Sequence, residues 1–228
     1  MLEKISETLA TFVKGAKEAR SIYNETVKNT HSTYRKEADC VPLDNKARRA
    51  YLDTLNALYK GIEDVPSQIK KTAEIIDSAL LKPIPEDLDK LIRNYETLKT
   101  DHGTGIQNKD IDILLKQSEH SFVGRRMIEM KFNLPKEVFV EYENVKERID
   151  FFDDAVNRLV MKPYQSVMKI VETTKVEEFG DKAWNNTIHD MLPNLDNYNV
   201  RVLLHSETTE KWVKEINDFI TKYELTDN

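Results

Sequence analysis

Five histidines, His31, His102, His120, His189 and His205, and one cysteine, Cys40, are the side chains of this 228-residue sequence most suited to metal binding or nucleophilic chemistry. A di-iron carboxylate site on a helical bundle needs Glu and His three apart on one helix, so that both reach one metal. The residues three before the histidines are Lys28, Lys99, Gln117, Asn186 and Val202, and none is acidic. There is no HExxH and no pair of cysteines, and Asp110-Ile111-Asp112 lacks the later ligands and glycine of an EF-hand loop. No metal or other cofactor is expected. Cys40 with His31 or another histidine as base contains the atoms of a thiol nucleophile, but a lone cysteine near a helix end, without a family-specific sequence around it, reads as incidental.

Phosphate chemistry fares no better. Neither GxxxxGK[ST] nor GxGxxG occurs, and Gly103-Thr104-Gly105 follows His102 with no convincing strand before it, so it reads as a connection. The carboxylate pairs Asp153-Asp154 and Glu177-Glu178 lie off the apolar stripes, where they read as solvated charge and not as acid and base with separated pKa values. Two arginine pairs remain, Arg48-Arg49 and Arg125-Arg126. They are the residues a phosphate or an acidic partner would dock on, although no aromatic side chains suited to base stacking are interleaved with a wider basic stripe.

The elements that must carry these residues are helices. Leu2, Ile5, Leu9, Phe12, Ala16, Ala19, Tyr23, Thr26, Thr30 and Thr33 follow spacings that alternate three and four, which predicts one long helix ending near Glu37 to Cys40, before Val41-Pro42. The stripe thins from aliphatics through alanines to threonines, so Thr26, Thr30 and Thr33 are expected to be exposed or held by a partner. Asp44 is expected to cap the next helix, whose stripe runs from Tyr51 through Ile62 and Ile69 to Leu80 with a kink or restart at Pro66. Lys82-Pro83-Ile84-Pro85 breaks the chain before a shorter helix holding Leu88, Leu91, Ile92, Tyr95 and Leu98. Residues 100–108 read as a loop, Asn108 as the cap of a short helix, and 118–133 as an interrupted helix.

Pro135 opens a second long helix on Val138, Tyr142, Val145, Ile149, Phe152, Val156 and Leu159, expected to kink at Pro163 and reach about Thr174. After Gly180 come a helix with Trp184, Ile188, Met191 and Leu192, a turn over 194–199, an extended or helical stretch over 200–205, and a terminal helix capped by Ser206 or Thr208. The expected fold is therefore all-α, an elongated bundle of long heptad-like helices. Residues 1–175 form the bundle with a compact middle section, and residues 176–228 form a smaller C-terminal helical section.

Composition narrows the functions this fold can serve. Only 6 glycines are present, as a mostly helical chain permits, and no apolar run nears the roughly 20 residues that cross a bilayer. With a single cysteine, no secretion leader and no lipidation signal, a cytoplasmic location is expected, or a host cytoplasm or virion if the chain is encoded by a phage. The net charge of −6 is uneven: residues 1–60 carry 11 basic and 8 acidic side chains, whereas residues 136–228 carry 12 and 19. An acidic last third disfavours wrapping nucleic acid, which relies on cations displacing condensed counterions. The reading that follows is a non-enzymatic structural or protein-interaction component acting in assembly, with a protein partner or self-association through helical seams. A nucleic-acid-associated regulator using Arg48, Arg49, Arg125 and Arg126, and an enzyme whose site is not recognisable in sequence, are the alternatives.

Overall fold

A computed structural model describes residues 2–34, 36–102, 108–178, 180–186 and 207–225, and among them every regular element is helical. The first stripe produces α1, Leu2–Thr33, unbroken through Gly15. Ile5, Leu9, Phe12, Ala16, Ala19 and Tyr23 are all buried. Beyond Tyr23 the stripe does thin: Thr26 and Thr33 are exposed and Thr30 is at the edge of burial. The three hydroxyls turn back onto the helix, bonding the carbonyls of Ile22, Thr26 and Asn29 at 2.7, 2.9 and 2.8 Å.

The next helix departs from the sequence expectation. α1 stops at Thr33, and α2 runs Glu37–Lys60 with Val41-Pro42 inside it, so Asp44 is not its cap. Pro42 is the sixth residue of α2, where the missing N–H forfeits one bond near an end that already lacks partners for its first four donors. Burial of Cys40 and Asp44 along the following turns draws the chain into helix ahead of the proline. Asp44 instead meets His31, Nε2 to Oδ2 at 2.8 Å. The turn after Lys60 resolves the second break as a restart: α3, Val65–Ser78, has Pro66 in its first turn.

Further along lie α4 (Glu86–His102), α5 (Asn108–Gln117) and α6 (Phe122–Lys131). Leu88 and Ile92 of α4, Leu114 of α5 and Ile128 of α6 form one apolar cluster, each at most 4% exposed. Ser121 caps α6 by accepting the Gly124 N–H at 3.2 Å. α7, Glu137–Val156, carries the second long stripe, with Val138, Val145, Ile149, Phe152 and Val156 buried. It passes through a π-helical turn, Asn157–Met161, into α8, Lys162–Thr173. Pro163 cannot donate to the carbonyl four residues back, and the wider turn just before it, in which the Lys162 N–H reaches the Asn157 carbonyl, carries the helix across the defect. A single turn over Val176–Glu178, the short α9 (Asp181–Trp184) and α10 (Glu207–Lys222) complete the described elements.

Two compact units are built from discontinuous stretches, residues 1–69 with 152–210, and residues 70–151 with 211–228. Their borders fall inside α3, α7 and α10. The middle of the 100–108 loop, the helix expected through Leu192, the turn over 194–199, the stretch over 200–205 and the Ser206 cap lie outside the described residues.

Candidate functional site

The polar residues of the first unit gather where α1 and α2 run antiparallel. Their register is set by Gly15 against Leu58, by the stacked rings of Tyr23 and Tyr51 with centroids 5.3 Å apart, and by the His31–Asp44 contact. On the buried side of this pair Arg48, 4% exposed, lies beside the Tyr23 hydroxyl, and its guanidinium sits over the Trp184 indole, 5.2 Å from the centroid. Arg48 is therefore withdrawn from any phosphate, while its neighbour Arg49 is at the surface and paired with Glu177. Burial raises the Tyr23 pKa above its usual value. Cys40, eight residues before Arg48 on α2, is 2% exposed, and desolvation together with the carboxylates of Asp44, Asp39 and Glu37 raises its thiol pKa. A thiol nucleophile needs the opposite environment.

Polar clusters in the second unit are likewise closed upon themselves. Asp77 accepts from the Tyr142 hydroxyl at 2.9 Å and from Lys146 Nζ at 2.8 Å. Glu141 accepts from Lys222 Nζ at 2.7 Å and from the Tyr223 hydroxyl at 3.1 Å. Burial, reinforced by these carboxylates, pushes Tyr142 up to about 12 and Tyr223 upward as well, so both phenols stay protonated and serve as fixed donors. Glu129 is 4% exposed and accepts the Val138 N–H at 3.2 Å; burial raises its pKa, and the bond and the Arg125 charge only partly offset it. Arg125 lies 3.9 Å from Glu137, and Arg126 stacks over Phe139 at 4.9 Å. The two arginine pairs predicted as docking residues thus belong to different units, and each of the four has a protein neighbour. Of the acid pairs, Asp154 meets Arg158 at 3.2 Å, Asp153 accepts from Asn157 at 2.9 Å, and Glu177 takes Arg49. Among the described residues no three His, Cys, Asp or Glu side chains are placed to hold a metal ion.

An open feature of the first unit, among the described residues, is a groove of about 600 Å³ along the outer side of α1 and α2. Its floor is Ala19, Tyr23, Ala47 and Tyr51, with Gly15 and Leu58 at one end and Thr30 and Leu43 at the other. Ile22, 65% exposed, stands at its middle, and Glu18 and Lys46 lie along its edges. Thr26 and Thr54 face it, but their hydroxyls are bonded to the carbonyls of Ile22 and Ala50, so they offer methyl groups. Thr26 and Thr30, singled out by the thinning stripe, line this groove; Thr33 is not among its lining residues. The α2 wall was not anticipated, and its signal is the small residues Ala47 and Ala50 on a helix side that core packing would have filled with larger ones. A second groove of about 600 Å³ in the other unit, between α7 and α10, has both acidic and basic lining residues, Glu137, Glu141, Glu215 and Asp218 with Lys136 and Arg148.

No protein-family model, no curated protein and no solved structure matches the chain. No described helix is long and apolar enough to cross a membrane.

Proposed function

We propose that this protein is a non-enzymatic helical interaction component, acting in an assembly by associating with another polypeptide through the outer face of α1 and α2. The observation that carries the reading is the groove itself: an apolar floor with an exposed isoleucine, flanked by hydroxyls already bonded to their own helix. Such a surface gains from covering apolar area and leaves no hydroxyl unsatisfied when water is expelled. The titratable clusters support the same reading. Raised tyrosine, cysteine and glutamate pKa values accompany side chains that are buried and mutually bonded, whereas acid–base catalysis needs groups poised near the working pH and facing a cavity. Helix-in-groove contact or bundle completion is the mode this shape suits.

Photo-crosslinking tests the reading directly. With Ile22→p-benzoylphenylalanine in the cells that naturally make the protein, irradiation is expected to yield a defined polypeptide adduct, and the added Ala50→Arg substitution, across the groove, is expected to deplete it at least tenfold. Absence of any adduct, or an adduct indifferent to Ala50→Arg, overturns the proposal.

A further inference from the structure

The two walls of the groove repeat each other. Residues 19–26 and 47–54 share the pattern Ala-Arg-x-x-Tyr-x-acid-Thr, an offset of 28 that places Ala19, Tyr23 and Thr26 in correspondence with Ala47, Tyr51 and Thr54. The correspondence is structural as well. Tyr23 and Tyr51 stack on each other, and Thr26 and Thr54 bond the carbonyl four residues back at 2.7 and 2.8 Å. Arg48 lies by Tyr23, and the charge of Arg20 acts on Tyr51, so each tyrosine takes the arginine of the opposite helix. Because α1 and α2 are antiparallel, equal residues at a constant offset mean that the hairpin has a local two-fold axis through the tyrosine stack, perpendicular to the groove face.

One residue before the repeat, at the same offset of 28, the charge is inverted. Glu18 on α1 corresponds to Lys46 on α2. Each stands four to five residues from the midpoint of its wall, about 7 Å at the rise of a helix, on opposite sides of the centre. They are therefore roughly 13 Å apart along the groove, too far to neutralise one another.

We infer that the groove face is a self-association surface: a second copy of this chain lays its own α1–α2 face on it, turned end for end about an axis crossing both helices, with Glu18 of each copy level with Lys46 of the other. The inference rests on the interaction reading above and names its partner. A two-fold contact must match a surface to itself, and this face can do so: the end-for-end turn lays each helix antiparallel on its own counterpart, so that Ala19 of one copy meets Thr26 of the other, Ala47 meets Thr54, and Leu43 of each copy meets Leu58 of the other. Charge selects this turn over its rival. Rotation about the axis parallel to the helices would bring Glu18 level with Glu18 and Lys46 level with Lys46. Four helices in contact then form a bundle, in which each copy supplies half the apolar centre.

The test is analytical ultracentrifugation of the full chain over a hundredfold concentration range at low salt. The unaltered protein is expected to show a reversible monomer–dimer equilibrium. Glu18→Lys alone and Lys46→Glu alone are each expected to raise the dimer dissociation constant at least tenfold, and the double variant to return it to within about threefold of the original. Both positions are exposed, and circular dichroism checks that each variant keeps its helix content. A chain that stays monomeric, a dimer indifferent to the single reversals, or a double variant that fails to recover overturns the inference. A monomer that nonetheless gives the Ala50→Arg-sensitive crosslink to a different polypeptide would remove self-association and leave the interaction reading standing, whereas loss of every crosslink removes both.

Discussion

The Arg48 guanidinium lies over the indole of Trp184, 5.2 Å from its centroid, and the two side chains are 4% and 1% exposed. This cation–π contact joins α2 to the short helix after Gly180 and keeps a permanent charge out of water against an aromatic face. Arg48→Ala should therefore cost about 3 kcal/mol of stability, because it opens a cavity and strands the groups that surrounded the charge. Arg49→Ala, one residue away in an exposed pair with Glu177, should cost under about 1 kcal/mol. Urea unfolding of the two variants measures the contrast, and equal losses would refute it.

Two helical glycines should respond oppositely to alanine. A Cβ at Gly15 would come within 2.7 Å of a terminal methyl of Leu58, which can rotate away into the groove. The gain of about 1 kcal/mol in helix propensity then offsets the adjustment, leaving Gly15→Ala near neutral. At Gly124 the added carbon would sit 2.8 Å from Ser121 Oγ, the cap of α6, and 2.6 Å from Leu88 in the core. Gly124→Ala is expected to cost about 1–2 kcal/mol through the damaged cap. Thermal midpoints of the two variants decide it.

Glu129 makes stability fall as pH rises. Its pKa is raised in the folded state by burial, so between the unfolded value near 4.3 and the folded one the native protein holds the extra proton. Stability is fullest below that window and declines through it. Glu129→Gln keeps an acceptor for the Val138 N–H and removes the charge. The variant should gain on the natural protein as pH goes from 4 to 7 in parallel urea titrations; a pH-independent difference between them would show that Glu129 does not titrate this way.

Alkaline behaviour follows from the buried phenols. Tyr51 and Tyr142 are raised to about 12, against an unfolded value near 10, and Tyr164 and Tyr223 are raised too. The stabilisation they carry is complete below about pH 10 and is lost as pH climbs from there through the folded values. Phenolate absorbance should rise in two phases, exposed tyrosines first and the buried ones together with loss of helix signal. Tyr51→Phe should move that second phase to higher pH. A single phase centred near pH 10 would contradict this account.

Much of the fold was legible because a 3.6-residue period writes burial directly into spacing. Ile5 to Tyr23 are buried as their spacing requires, as are Val138, Val145, Ile149, Phe152 and Val156 while Tyr142 is half-buried, and the defect at Pro163 was placed correctly. Asp44 was misread for a reason of the same kind: its residue type suits a cap, and capping is a local preference worth about 1 kcal/mol. Burial of the α2 turns around Cys40 and Asp44 outweighs it, and no local pattern displays that contact. Among site residues, Thr26 and Thr30 were visible as a stripe growing polar. Arg48 looked like a surface cation because its type is usually exposed, and only its packing against Trp184 shows otherwise.

What the sequence alone determined is the helical class, most helix limits and the absence of familiar catalytic motifs, since these follow from period, proline placement and residue spacing. It also contained the repeat of residues 19–26 at 47–54, but without meaning. The tertiary structure decided that these segments lie antiparallel, tyrosine on tyrosine, so that one side buries Arg48 and the other opens as a groove with Glu18 and Lys46 at mirrored heights. Spacing sets which residues share a face of one helix; only packing sets which faces meet, because that depends on contacts between residues far apart in the chain.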